Sequence, residues 1–122
     1  MITISNNGII TVNKGDDFKL TLFINKGTPT KPIRYNLSEK DVVWFRVMSP
    51  NQSFPDAIIK KEYTYKDVNA NKDVVVKFTH EDTFSLVAGK YYYEVKLKLY
   101  NTKTDSFLVH TIIPQTQIVL VE

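Results

Sequence analysis

His80–Leu99 reads HEDTFSLVAGKYYYEVKLKL. In twenty residues it holds an acidic turn, a glycine, three consecutive tyrosines and an alternating strand. Whether Tyr91, Tyr92 and Tyr93 form a binding face or brace an interior decides the fold. Strand parity divides them. From Lys90 onward, Tyr91, Tyr93, Val95, Leu97 and Leu99 share one side, and Tyr92, Glu94, Lys96 and Lys98 share the other. Two of the three tyrosines therefore point toward an apolar interior. Ahead of the strand, Thr79 caps a short helical turn and Asp82 stands at the third position of a capping box. Glu81 and Asp82 suit the positive end of a helix dipole. Gly89 ends the turn, since glycine adopts left-handed backbone cheaply.

Outward from this stretch, strand patterns dominate. FKLTLFI puts Phe18, Leu20, Leu22 and Ile24 on one face. VVWFRVM turns Val43, Phe45 and Val47 inward and leaves Trp44 and Arg46 outside. DVVVKFT groups Val74, Val76 and Phe78, and SFLVHTII and TQIVLV complete the set, with IITV and AIIKKEY as shorter strands. NKGTPTKP, with Gly27, Pro29 and Pro32, SPNQSFPD, KDVNANKD and NTKTDS read as turns between them. Gly15-Asp16-Asp17 closes a turn before Phe18. The pattern predicts one all-β domain over residues 1–122. It would be an immunoglobulin-like antiparallel sandwich of about seven to eight strands, with one short helical turn near residues 80–86. Tyr91 then takes the tyrosine-corner position at the start of the sixth strand, returning its hydroxyl to nearby backbone. Thr79, Asp82, Gly89 and Tyr91 form the expected structural corner.

Composition narrows the chemistry. A chain of 122 residues buries enough surface to fold without staples. Its lack of cysteine removes disulfides, thiolate metal sites and thiol nucleophiles together. MITISNNGIITV does not read as a secretion signal, and no apolar run approaches the ~20 residues that cross a bilayer; no membrane partner is expected. The net charge of +3 is small and dispersed. Arg34 and Arg46 are the only arginines, which argues against base or phosphate recognition, so no nucleic-acid partner is expected.

The two histidines, His80 and His110, show no metal-ligand spacing; His80 reads as part of the capped turn and His110 as a strand residue. The neighbouring carboxylates Asp16–Asp17 and Glu81–Asp82 point in different directions and do not make a glycosidase pair. No nucleophile or phosphate-binding motif occurs. No enzyme activity, metal or cofactor is expected. Tyr92, Lys96, Lys98 and Tyr100 share a strand face that could stack bases or sugars; lysines solubilising the face, with their stems over the rings, is the simpler reading. Trp44, Tyr92 and Phe23 occupy outward strand positions, which suits protein–protein contact. The candidate assembly surface is Trp44, Phe54, Tyr63, Tyr65 and Tyr92.

Read in order, ITVNKGDDFKLTLFIN, YNLSEKDVVWFRV, AIIKKEYT, VVVKFTHEDTFSLVAGKYYYEVKL and TIIPQTQIVLVE resemble the small β-sandwich domains of tailed-bacteriophage virions. These include the N-terminal module of upper baseplate proteins. The pattern has a GD-x-F strand start, here Gly15, Asp16 and Phe18, and a loop leucine, here Leu37. An I-x-K strand follows, here Ile59 and Lys61. Last comes an element matched by Glu81, Asp82, Thr83, Leu86, Gly89, Tyr91, Tyr93 and Glu94. Ala88 stands where that group has proline. No receptor-binding or coiled-coil segment follows the module in these residues, so the resemblance implies a stand-alone structural subunit of tail, baseplate, neck or capsid surface. Such a subunit is made in a bacterial cytoplasm, is homo-oligomeric in the virion and contacts other virion proteins. The rival expectation is a carbohydrate-binding or host-adhesion module, with Tyr92, Trp44 and SPNQSFPD against a host-surface glycan.

Overall fold

The computed structural model describes residues 2–4, 8–28 and 30–122. Its strands are β1 (Ile2–Ile4), β2 (Ile10–Asn13), β3 (Phe18–Leu22), β4 (Asn25–Thr28), β5 (Lys31–Arg34), β6 (Val42–Met48), β7 (Ile59–Tyr63), β8 (Val74–Phe78), β9 (Gly89–Asn101) and β10 (Ser106–Val121). One helical turn, α1, spans His80–Phe84. The fold is an all-β immunoglobulin-like sandwich. A six-stranded sheet in the order β1-β2-β10-β9-β6-β7 faces the β3–β8 pair, and β4–β5 form a separate hairpin.

Inward residues of both layers share one core. Its axis is an aromatic column. Phe18 stacks on Phe78 at 4.5 Å between ring centroids, Phe78 meets Phe45 edge-on at 5.7 Å, and Phe45 stacks on Tyr93 at 5.5 Å. The alternation B-i-B-i along Tyr91–Lys98 is what the period-two pattern demands. Tyr91, Tyr93, Val95 and Leu97 are buried, and Val43, Phe45 and Val47 oppose them from β6.

Four expectations need correction. The sheet is not wholly antiparallel, because β10 runs parallel to β2 over Ile118–Val121. Among the described residues ten strands form, not seven or eight. One cause is that NKGTPTKP, read as a turn, falls within the β4–β5 hairpin; Pro29, part of that turn reading, lies outside the described residues. The helical turn stops at Phe84 with Ser85 as its C-cap. Gly89 therefore does not end it: it opens β9 with φ +149, a conformation that side chains resist. SFLVHTII and TQIVLV, read as two runs, are one strand bent by register shifts between Thr111 and Ile113 and between Ile113 and Thr116.

Candidate functional site

Thr79, Asp82 and Tyr91 of the expected corner assemble as the sequence implies, while Gly89 serves as the start of β9. The Tyr91 hydroxyl donates to the Val87 carbonyl at 2.7 Å, four residues upstream. The Thr79 N–H donates to Asp82 Oδ2 at 2.7 Å, and Lys61 Nζ reaches the same oxygen at 2.9 Å. Burial works against the Asp82 charge, but Lys61 and the Thr79 amide together hold its carboxyl below the ordinary value. The turn before β3 locks onto α1. The Gly15 N–H donates to Thr83 Oγ1 at 2.8 Å, His80 Nδ1 pairs with the Gly15 carbonyl at 2.7 Å, and the His80 N–H donates to Asp17. Gly15 has φ +82, and an added Cβ would sit 3.3 Å from the His80 ring. Both glycine and the close approach are thus required there.

The five aromatics expected as one assembly surface separate into three places. Trp44 and Phe54 meet edge-on at 6.4 Å on the outer face of the six-stranded sheet. Arg46, expected to face water, instead lays its guanidinium 4.4 Å from the Phe54 ring centroid and 5.6 Å from that of Trp44, and donates to the Phe54 carbonyl at 3.1 Å. Lys96 Nζ lies 5.0 Å from the Phe54 ring, and the Trp44 indole N–H donates to Glu62 at 2.9 Å. Tyr92 is half-buried on the same face, opposite Met48 and Gln117. Tyr63 does not belong to this face. It pairs opposite Val43, so parity turns it toward the interior, where its hydroxyl accepts the Lys77 N–H at 3.2 Å and burial raises its pKa. Tyr65 lies apart in a 3-10 turn, Tyr65–Asp67, capped by Thr64 and Asp67.

Sequence parity anticipated a lysine-lined aromatic face but not its partners. Lys98 Nζ lies 4.3 Å over Phe107, and Lys40 Nζ 4.3 Å over Tyr100, whose rings tilt together at 5.1 Å. The outer face thus carries two cation–ring clusters, Trp44–Phe54 with Arg46 and Lys96, and Tyr100–Phe107 with Lys98 and Lys40. Phe54 and Phe107 reach their cations from a turn and from the neighbouring strand, which no single-strand pattern displays.

Asp41 is the group that sequence reading missed. It is fully buried. Its carboxylate accepts the Tyr100 N–H at 3.0 Å, the Ser38 N–H at 2.9 Å and the Tyr35 hydroxyl. Burial opposes its ionisation, but these donors hold its pKa below the ordinary value; burial and the Asp41 contact push Tyr35 up to about 12. The arrangement staples the loop before β6 to β9. A polar run such as YNLSEKD gives no sign of which acid turns inward.

An apolar cavity of about 320 Å³ opens beside the β9–β10 hairpin, lined by Ile24, Asn25, Tyr35, Leu97, Leu99, His110 and Ile112. Among the described residues, no group of three or more His, Asp or Glu side chains is placed to hold a metal, and no helix is long and apolar enough to cross a membrane. Comparison with known proteins found no matching family model, no similar curated protein and no similar solved structure.

Proposed function

We propose that this chain is a non-enzymatic structural component of a bacteriophage virion, acting by protein–protein assembly through the outer face of its six-stranded sheet. The observation that carries the reading is the Trp44–Phe54–Arg46–Lys96 cluster. Tryptophan and arginine are the side chains that most often anchor protein interfaces. Here they are held in place on a rigid sheet by the Glu62 and Phe54 hydrogen bonds, so little side-chain freedom is lost on docking. The ordered motifs from Gly15 to Glu94 supply the phage assignment by resemblance, and the corner built from Thr79, Asp82, Tyr91 and Gly15 supports the reading that those motifs are scaffold.

A glycan-binding use of the same face is less favoured. A sugar stacks on an open ring face, and the Phe54 ring already carries the Arg46 guanidinium. The test is incorporation. Particles purified from cells producing the wild-type chain or Trp44→Ala are examined by mass spectrometry, beside thermal melts of both isolated proteins. The mutant should melt close to wild type and be depleted from particles. Equal incorporation, or glycan-array binding by the isolated chain that Trp44→Ala abolishes, overturns the assembly reading.

A further inference from the structure

The sheet is incompletely paired along one strand. β10 is bonded to β9 from Ser106 to Leu120. On its other side β2 covers only Ile118–Val121. Among the described residues, no strand pairs with the second edge of β10 over Ser106–Ile113. Over Ser106–Thr111 this edge lacks the usual protections. Natural sheets blunt open edges with lysine, proline, bulges or brevity, yet SFLVHTII contains no Asp, Glu, Lys, Arg or Pro. Its first bulge falls at Thr111–Ile113, and proline appears only at Pro114. Phe107, Leu108 and Val109 are 44%, 53% and 52% exposed. Eight residues of strand extend ~27 Å, enough for a full interface edge.

We infer that a second copy of this chain occupies this edge, its β10 running antiparallel to the first about a two-fold axis and joining two six-stranded sheets into one. The inference rests on the assembly reading above and names its partner. Three observations select a second copy. An antiparallel edge is self-complementary, since a two-fold offers each free N–H and C=O its counterpart. The segment bears no formal charge, so identical edges meet without repulsion, in contrast to the lysine-lined outer face of β9. The third is the apolar cavity. A two-fold normal to the sheet keeps inner faces on the same side. Centred on Val109, it places Leu108 of the second copy directly opposite His110, at the lip of the cavity lined by Leu97, Leu99 and Ile112. Exposed leucine and open apolar cavity then cover each other.

Sedimentation velocity of the full chain from micromolar to millimolar concentration is the first measurement. A closed dimer is expected, with the amides of Ser106–Ile113 exchanging deuterium more slowly as dimer forms. Val109→Lys places a protective charge on the edge and should weaken association about tenfold or more. Val87→Lys, at an exposed position before β9, should leave it unchanged. A wild-type chain that stays monomeric, a dimer without protection at Ser106–Ile113, or equal weakening by both variants overturns the inference. The exchange measurement uses wild type alone, so it decides even if Val109→Lys misfolds. The virion reading fails separately, when wild-type chain is absent from purified particles.

Discussion

The two ends of the long β9–β10 hairpin are built on opposite principles. At the end near Gly89, both layers close over it, Tyr91 is bonded to Val87, and the Gly15 turn is pinned to α1. At the end near Asn101, the β3–β8 layer no longer covers the hairpin. Leu108 stands exposed on the inward-facing side, and on the outer side the Tyr100 ring leans on Phe107 and Lys40. The same alternating sequence runs through both. What differs is whether a second layer lies opposite, so the pattern fixes which side a residue faces but not whether anything waits there.

Breaking the closed end should have the largest effect. Phe45→Ala removes the centre of the aromatic column and should cost about 3–5 kcal/mol in urea denaturation, a large part of the 5–15 kcal/mol typical of a whole domain. Next is Asp41, which ties the loop before β6 to Tyr100 at the open end. Asp41→Asn cannot satisfy all three donors that meet it and should lose about 1–3 kcal/mol. Tyr91→Phe removes one bond and leaves the Val87 carbonyl without it, for about 1 kcal/mol. At the open end, Leu108→Ala in the monomer should change stability by no more than about 0.5 kcal/mol. A loss at Leu108 equal to that at Tyr91 would abolish the distinction.

Acid titration sharpens it. The folded pKa values of Asp41 and Asp82 lie below the unfolded value. The unfolded chain therefore binds protons more readily. The stability these groups add is complete above the unfolded pKa, about 4, and is lost as pH falls through the folded values. The urea midpoint should hold level from neutral pH to about 4, then drop. In Asp41→Asn the drop should be shallower.

The sequence made the strands legible wherever burial on one face imposed alternation, as along Phe18–Leu22, Val42–Met48 and Gly89–Leu99. Most of the corner was equally readable, because capping and the tyrosine-to-backbone bond are local in sequence; the place of Gly89 was not, since the turn already ends at Ser85. What depends on distant partners was not. The parallel β2–β10 pairing, the inward turn of Asp41 and the placing of Arg46 over Phe54 all depend on which segments meet. Tyr63 shows the limit most plainly: its alternation was visible, but its face is set by the Val43 pairing, which no local pattern encodes.

The ties that close the corner and its neighbours have a consequence in time. Gly15 reaches Thr83 across 68 positions, Tyr93 reaches Gly8 across 85, and Asp41 reaches Tyr100 across 59. None can form until remote parts of the chain have already met, so the loop entropy of that meeting precedes its reward. Refolding should accordingly take milliseconds to seconds, as in other chains dominated by non-local pairing.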